Sequence, residues 1–159
     1  MKTAAFTLLE VLVVLSIVGI LIAIGIPNYF TYQRRLNMQQ SVQQFARDID
    51  AARNEAKRTN ACRTIAYVDS SSYKIQSFTT PNCTGTPTEQ VIRLVQGTTL
   101  TPLINGTGTG AAVVTSMDFR PPYGINTGTP AVFRIASATD TTVFNTLRLT
   151  AVMGKVIIR

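Results

Sequence analysis

The amino-acid sequence predicts an α+β fold: a long N-terminal helix that spans a membrane with its first part, packed on a C-terminal antiparallel β-sheet domain. Three observations predict it. A nearly continuous apolar run covers Phe6–Ile26, a helical pattern with one apolar stripe follows it, and short segments of alternating polarity fill the remainder. We therefore expect a membrane-spanning segment at 6–26, the rest of the helix at 27–60, and a globular β domain at 61–159.

The apolar run is long enough to cross a bilayer. It holds 21 residues, and all but Thr7, Glu10 and Ser16 are apolar or glycine. At about 1.5 Å per residue the run extends roughly 31 Å, close to the thickness of a hydrocarbon core. Secretory signals have a shorter apolar core followed by a small-x-small cleavage site, so this run favours an uncleaved anchor.

Glu10 is the exception within the apolar run. An ionised carboxylate in hydrocarbon costs about 2.5–3.5 kcal/mol at a helix centre and less towards an end. We therefore expect a cationic group to pair with Glu10. The simpler alternative places this side chain at the head-group boundary.

The helical pattern continues beyond Pro27, where the missing backbone donor and the ring predict a kink. Downstream, apolar residues recur every three or four positions and define one stripe. Its members are Met38, Val42, Phe45, Ile49, Ala52 and Ala56. Such a stripe packs on a globular domain or, as a weaker alternative given its two alanines, on a second copy in a coiled coil. Since neither Gly nor Pro occurs between residues 28 and 60, we expect one helix over Phe6–Thr59.

From Cys62 onward the pattern changes to period two with turn residues between the segments, which predicts antiparallel strands. The expected strands are Thr64–Val68, Tyr73–Phe78, Gln90–Val95, Val113–Phe119, Ala131–Ile135, Thr146–Thr150 and Lys155–Ile158. If residues 151–154 form a turn, Leu149 faces Val156 in the last hairpin. Leu147 then faces Ile158, and these four side chains form its buried side.

The composition limits the chemistry of the chain. It has no His, which excludes nucleophilic sites that use imidazole as the base and removes the commonest metal ligand. We expect no catalytic residues, no metal and no cofactor. After Pro27 there are 14 Lys or Arg against 7 Asp or Glu, a net charge of +7. This excess attracts anionic partners such as DNA or lipid head groups, although its simpler role is to keep the domain soluble.

Cys62 and Cys83 are the two cysteines of the chain. In an oxidising compartment, a bridge between them would fasten the first hairpin to the end of the helix. In the chain-entropy account of disulfides such a bridge contributes about 3 kcal/mol. The alternative is two unpaired thiols.

The stretch Ala5-Phe6-Thr7-Leu8-Leu9-Glu10, followed by the apolar run to Pro27, resembles the N-terminus of type IV pilins and type II secretion pseudopilins. The resemblance implies that prepilin peptidase cuts between Ala5 and Phe6, removes residues 1–5 as a leader, and methylates the new amino terminus. The family usually has Gly where this chain has Ala5. Glu10 would be the membrane-buried acid that serves assembly, paired with the Phe6 amine of a neighbouring subunit.

The same resemblance implies where the protein resides. It would cross the bacterial inner membrane once, with a cytoplasmic N-terminus and the head in the periplasm or outside, and would enter a pilus or pseudopilus on assembly. Its partners would be other pilin or pseudopilin subunits, the prepilin peptidase and the membrane.

Three later stretches resemble the GspH/FimT family: Ala51–Asn60 at the end of the helix, Met117–Gly124 in mid-domain, and Leu147–Leu149 with Gly154–Val156 at the close. Some FimT-type minor pilins of transformable bacteria bind DNA through a C-terminal Gly-Arg-x-Arg motif. At the matching positions this chain has Lys for the first Arg and Ile for the second. The candidate DNA contacts, all on the predicted last hairpin, are Arg148, Lys155 and Arg159.

These features predict a non-enzymatic minor pilin of a type IV pilus, with DNA capture for uptake and natural transformation as a candidate role. A GspH-type pseudopilin of a type II secretion system is the alternative, since it shares the anchor and the processing site. A membrane-tethered exported enzyme is a third possibility, which retention of residues 1–5 in the mature chain would support.

Overall fold

The computed structural model describes residues 8–103, 115–122, 125–126, 132–140, 142–149 and 156–158. It shows one long helix and nine strands within these residues. The chain falls into two compact units, Met1–Arg35 and Leu36–Arg159. The second unit contains the C-terminal part of the helix together with the strands. The predicted α+β class is thus confirmed.

Helix α1 covers Leu8–Thr59 and runs through Pro27 as one element. The expected start at Phe6 lies outside the described residues, and the kink at Pro27 stays a prediction. At the C-terminal end, Asn60 has a φ of 50°, the left-handed conformation that often ends a helix. Lys57 and Arg58 occupy the last turn, where positive charge interacts favourably with the helix dipole.

All six residues of the predicted apolar stripe on α1 are buried. Phe45 lies at its centre and contacts two aromatic rings edge-on, Tyr73 at a centroid distance of 4.8 Å and Phe133 at 5.3 Å. Tyr73 and Phe133 belong to different sheets, described next. The stripe therefore packs on the globular domain of its own chain, as predicted, and the structure shows that it contacts both sheets.

Sheet 1 has five antiparallel strands in the order β3-β2-β1-β5-β6. Their bounds are β1 Arg63–Asp69, β2 Ser72–Ser77, β3 Thr88–Arg93, β5 Ser116–Arg120 and β6 Ile125–Asn126. Its inner face contributes Ile65, Tyr73, Met117 and Phe119 to the core.

Sheet 2 has four antiparallel strands in the order β4-β7-β8-β9. Their bounds are β4 Thr98–Leu103, β7 Val132–Ser137, β8 Phe144–Leu149 and β9 Val156–Ile158. Its inner face contributes Leu100, Phe133, Ile135, Leu147 and Leu149 to the same core. The predicted register of the last hairpin is confirmed, since Leu147 pairs with Ile158 and Leu149 pairs with Val156.

The structure corrects three expectations about the strands. Strands β4 and β6 were not predicted, because β4 carries Pro102 among threonines and β6 has only two residues. Pro102 is tolerated because β4 lies at an edge of sheet 2. The expected burial of Ile158 is wrong, since this side chain is 46% exposed. It lies on β9, the opposite edge strand, where no further strand covers it among the described residues.

Cys62 and Cys83 form a disulfide with a Cα–Cα distance of 5.1 Å. Cys62 follows the end of α1, and its backbone N–H and C=O also bond to the segment after β2, at Thr80 and Phe78. The bridge therefore fastens the end of the helix to the β2–β3 connection, as the sequence predicted. The alternative of two free thiols is excluded.

Candidate functional site

The N-terminal part of α1 is apolar and exposed on all sides. From Leu8 to Arg35 each residue is exposed, Pro27 aside, for which no exposure is described. By length and composition, α1 is the one helix among the described residues that could cross a membrane. Because no stripe of this part is buried in the chain itself, its apolar surface is available to lipid or to other subunits.

Glu10 lies exposed in the first turn of α1. Negative charge is favoured at this end, where the first backbone N–H groups of a helix point outward. Ala5 and Phe6 lie outside the described residues, so the cut between them and the pairing of Glu10 with a Phe6 amine stay predictions.

Two other polar side chains of this part bond to its own backbone. The Ser16 hydroxyl donates to the carbonyl of Leu12 at 2.8 Å, and the Asn28 amide donates to the carbonyl of Ile24 at 3.2 Å. Both bonds join residues one helical turn apart. In a bilayer, where water is absent, such bonds spare the helix an unsatisfied polar group.

The outer face of sheet 2 is cationic. Side chains alternate along a strand, so the buried Phe133 and Leu147 place their neighbours Arg134 and Arg148 on the opposite face. The register brings Arg134 opposite Thr146 and Arg148 opposite Val132. The described strands of this sheet contain no Asp or Glu. We call this surface the cationic face; its polar and aromatic members are Thr101, Arg134, Phe144, Thr146 and Arg148.

An aromatic ring supports one of the two arginines. The Arg134 guanidinium carbon lies 3.8 Å from the centroid of the Phe144 ring, a cation–π contact. Phe144 is itself 46% exposed. The ring therefore holds the guanidinium near the sheet surface, while Arg148 on the same strand as Phe144 is exposed.

Two cations on the outer face of sheet 1, Lys74 and Arg120, lie near carboxylates. The Lys74 ammonium lies 2.8 Å from the Glu89 carboxylate, which also accepts a hydrogen bond from Gln76. The bond from Lys74 lowers the pKa of Glu89. Asp118 accepts a bond from Thr64 at 2.9 Å and lies 3.9 Å from Arg120. The described strands of sheet 1 thus carry both signs of charge, whereas those of sheet 2 carry arginines and no carboxylate.

Of the three predicted DNA contacts, one lies within the described residues. Arg148 is exposed on the cationic face, whereas Lys155 and Arg159 lie outside the described residues. Sequence reasoning missed Arg134 and Phe144. A signal for Arg134 was available, because it alternates with apolar neighbours inside the predicted strand Ala131–Ile135; Phe144 fell before the predicted start of its strand. Within the described residues, no group of three His, Cys, Asp or Glu side chains could hold a metal.

Comparisons with known proteins agree with this architecture. Residues 1–26 match the prokaryotic N-terminal methylation motif, and residues 41–151 match the family of the type II transport protein GspH. The fold is similar to the crystal structure of the type IV minor pilin FimU of Pseudomonas aeruginosa, with a TM-score of 0.57 and 15% identity. That match covers 80% of this chain and 90% of FimU. No curated protein sequence matches this one significantly. The chain therefore belongs to the GspH family, within the superfamily of type IV pilins and type II secretion pseudopilins.

Proposed function

We propose that this protein is a non-enzymatic minor pilin of a type IV pilus. Prepilin peptidase cuts it between Ala5 and Phe6 and methylates Phe6, and the apolar part of α1 up to Ile26 then inserts among the helices of other subunits. The observation that carries the proposal is the apolar surface of Leu8–Ile26, which no part of the described chain buries. The likeness to FimU, itself described as a minor pilin, supports the choice of a pilus.

The proposal gives Glu10 a specific role. In the bilayer, the carboxylate of an incoming subunit pairs with the cationic Phe6 amine of its neighbour, and the pairing offsets the cost of placing either charge in lipid. This pairing sets the register of the incoming helix. The head, from about residue 28 onward, faces the periplasm.

Replacement of Glu10 tests the assembly role. We expect Glu10→Ala to leave the protein at normal amounts in the membrane and to abolish its recovery in sheared pili. Glu10→Asp keeps the charge and should restore part of the incorporation, whereas the matched change Ser16→Ala should have no effect. Normal incorporation of Glu10→Ala would remove the role assigned to this carboxylate. Mass spectrometry of the assembled chain should find a methylated Phe6 as its first residue.

The cationic face favours DNA capture as a second function. Arg134 and Arg148 lie on adjacent strands with no acidic residue on the described strands of the sheet. Phe144 has one ring face covered by Arg134, and this contact positions the guanidinium at the sheet surface. Arginine side chains on such a surface contact the phosphate oxygens of DNA, and these contacts carry no sequence information. We therefore expect duplex DNA to bind without sequence preference.

Salt titration tests DNA capture. With the full chain in a zwitterionic detergent, the affinity for duplex DNA should fall as salt rises, and Arg148→Ala should reduce the slope of log K against log salt by about one. Lys57→Ala is the matched control, because it removes the same charge from the exposed end of α1. Equal losses in the two variants, or no binding at low salt, would contradict the proposal.

The family match keeps a second assignment open. As a GspH-type pseudopilin, the same anchor and processing site would serve a type II secretion system, and the head would contact secreted proteins or tip subunits. Deletion of the gene that encodes this protein distinguishes the two assignments. Loss of surface pili with normal protein secretion supports the minor pilin, and the reverse result supports the pseudopilin.

A further inference from the structure

A short segment between the apolar run and the packed part of α1 is rich in aromatic and basic side chains. Three aromatic side chains follow Ile26 closely and are well exposed, Tyr29 at 63%, Phe30 at 51% and Tyr32 at 61%. Two exposed arginines, Arg34 and Arg35, come next. We call residues 29–35 the collar. The proposed assembly helix and the core leave this segment without an assigned role.

The length of the apolar run sets the depth of the collar in a membrane. Leu8–Ile26 extends about 29 Å as a helix, which matches a hydrocarbon core of about 30 Å. The next two turns of the helix therefore lie at the level of the lipid head groups. Tyrosines concentrate at this level because one end of the side chain is apolar and the other forms hydrogen bonds.

The collar side chains surround the helix. At about 100° per residue, the three aromatic side chains lie near 0°, 100° and 300° around the axis, counted from Tyr29. On the same count Arg34 and Arg35 lie near 140° and 240°. A single folded partner would select one side of the helix, as the core does with the stripe from Met38 to Ala56. A distribution over all sides fits a surrounding medium.

The charge of the collar identifies that medium. Between Glu10 and Asp48 the sequence has no acidic residue, so no carboxylate close in sequence competes for Arg34 and Arg35. The planar fork of a guanidinium matches the oxygens of a phosphate group. We propose that the collar binds phospholipid head groups, with Arg34 and Arg35 on the phosphates and the two tyrosines at the glycerol level. The inference rests on the proposed membrane-anchored function.

The absence of Trp from the sequence makes the depth of the collar measurable. Tyr29→Trp introduces a single indole into the full chain, which is reconstituted into anionic phospholipid vesicles at high dilution. The indole should be quenched best by lipids labelled near the head group, and acrylamide, a neutral quencher in the aqueous phase, should quench it weakly. Arg34→Glu with Arg35→Glu should raise quenching by acrylamide severalfold, because the reversed charges are repelled by phosphate. Lys57→Glu with Arg58→Glu, which changes the net charge equally, should not.

Three results would overturn the inference. Strong acrylamide quenching of the indole in the otherwise unchanged chain would place the collar in water. An unchanged depth after reversal of both arginines would remove their role. Shallow quenching that appears only at high protein density would assign the collar to a second copy.

A separate indole distinguishes this failure from failure of the anchor. Leu15→Trp lies in the middle of the apolar run, and deep lipid labels should quench it. If no lipid label quenches that indole, the membrane anchor itself is wrong. If the deep labels quench it while the collar indole stays in water, only the head-group contact is wrong.

Discussion

The two parts of helix α1 show how one continuous helix serves two environments. Residues 8–35 expose apolar side chains on every side, whereas residues 36–59 bury a single stripe against two sheets of the same chain. In the first part, Leu15 and Leu21 are as exposed as Tyr32. The distribution of apolar side chains around the helix axis, and not the length of the helix, therefore decides whether the helix packs on its own chain or on something else.

Polar side chains differ between the two parts in the same way. In the first part, Ser16 bonds to its own helix. In the second part, the fully buried Ser41 bonds to the Thr98 hydroxyl at 2.9 Å and accepts the backbone N–H of Val95 at 3.2 Å. The second part also has bonds within its own helix, such as that from Arg47 to the carbonyl of Gln43, but the Ser41 bonds fix it to the sheet domain.

The largest expected effect comes from the centre of the stripe. Phe45→Ala should lower the free energy of unfolding of the second unit, Leu36–Arg159, by about 3–5 kcal/mol, because it leaves a cavity between both sheets. Leu15→Ala, at an exposed position of the other part, should leave that free energy unchanged. Denaturant unfolding of the full chain in detergent, followed by the circular dichroism of the sheets, measures both. Equal effects would abolish the distinction between the two parts.

The disulfide fastens only the packed part of the helix. Cys62→Ala with Cys83→Ala should lower the free energy of unfolding by about 3 kcal/mol, since a loop of 21 residues is no longer closed in the unfolded chain. The same denaturant titration measures this loss. The unmutated protein, with its disulfide reduced by dithiothreitol, is the control. The depth of the Leu15→Trp indole should not change. A shift in that depth would show that the bridge acts on both parts.

The contact between Tyr73 and the helix is expected to have a smaller effect and a pH signature. The Tyr73 hydroxyl donates to the Asp48 carboxylate on α1, and burial together with this bond raises the pKa of the tyrosine. A raised pKa in the folded state means that stability is complete below the ordinary tyrosine pKa of about 10 and falls as the pH rises above it.

Tyr73→Phe tests this contact. The substitution should lower the free energy of unfolding by about 1–3 kcal/mol at neutral pH, because the partly buried hydrogen bond is lost and the Asp48 carboxylate no longer accepts a bond from residue 73. The variant should also lose less stability between pH 9 and 11 than the parent protein does. Thermal unfolding across this pH range measures both changes. A parallel decline in the two proteins would show that another group titrates there.

The smallest effect is expected at the exposed end of the packed part. Glu55 bonds to Arg58 at 2.7 Å and lies 3.6 Å from Arg63. The Arg58 hydrogen bond lowers the pKa of this carboxyl, so its contribution is present above the ordinary glutamate pKa and is lost as the pH falls through the lowered value. Glu55→Gln should change the unfolding temperature slightly at low salt and not at high salt. An equal change at high salt would contradict a screened surface pair.

Much of the fold was predictable because its signals are local or periodic. The stripe from Met38 to Ala56 follows from helical spacing alone, and each predicted member is buried. The pairing of Leu147 with Ile158 follows from alternation on either side of the turn predicted at residues 151–154. Strand β4 was not predictable in this way, since its polar sequence and Pro102 become a strand only when β7 supplies the hydrogen bonds.

The candidate sites divide along the same line. The apolar run, Glu10 and the Cys62–Cys83 pair were read from the sequence, because membrane thickness, charge in lipid and the number of thiols depend on composition and order along the chain. The cationic face required the tertiary structure. Arg134 and Phe144 share no sequence motif. The antiparallel pairing of β7 with β8 brings the guanidinium onto the ring. The register of β7 with β8 sets this contact, and burial of Phe133 and Leu147 in the core holds that register.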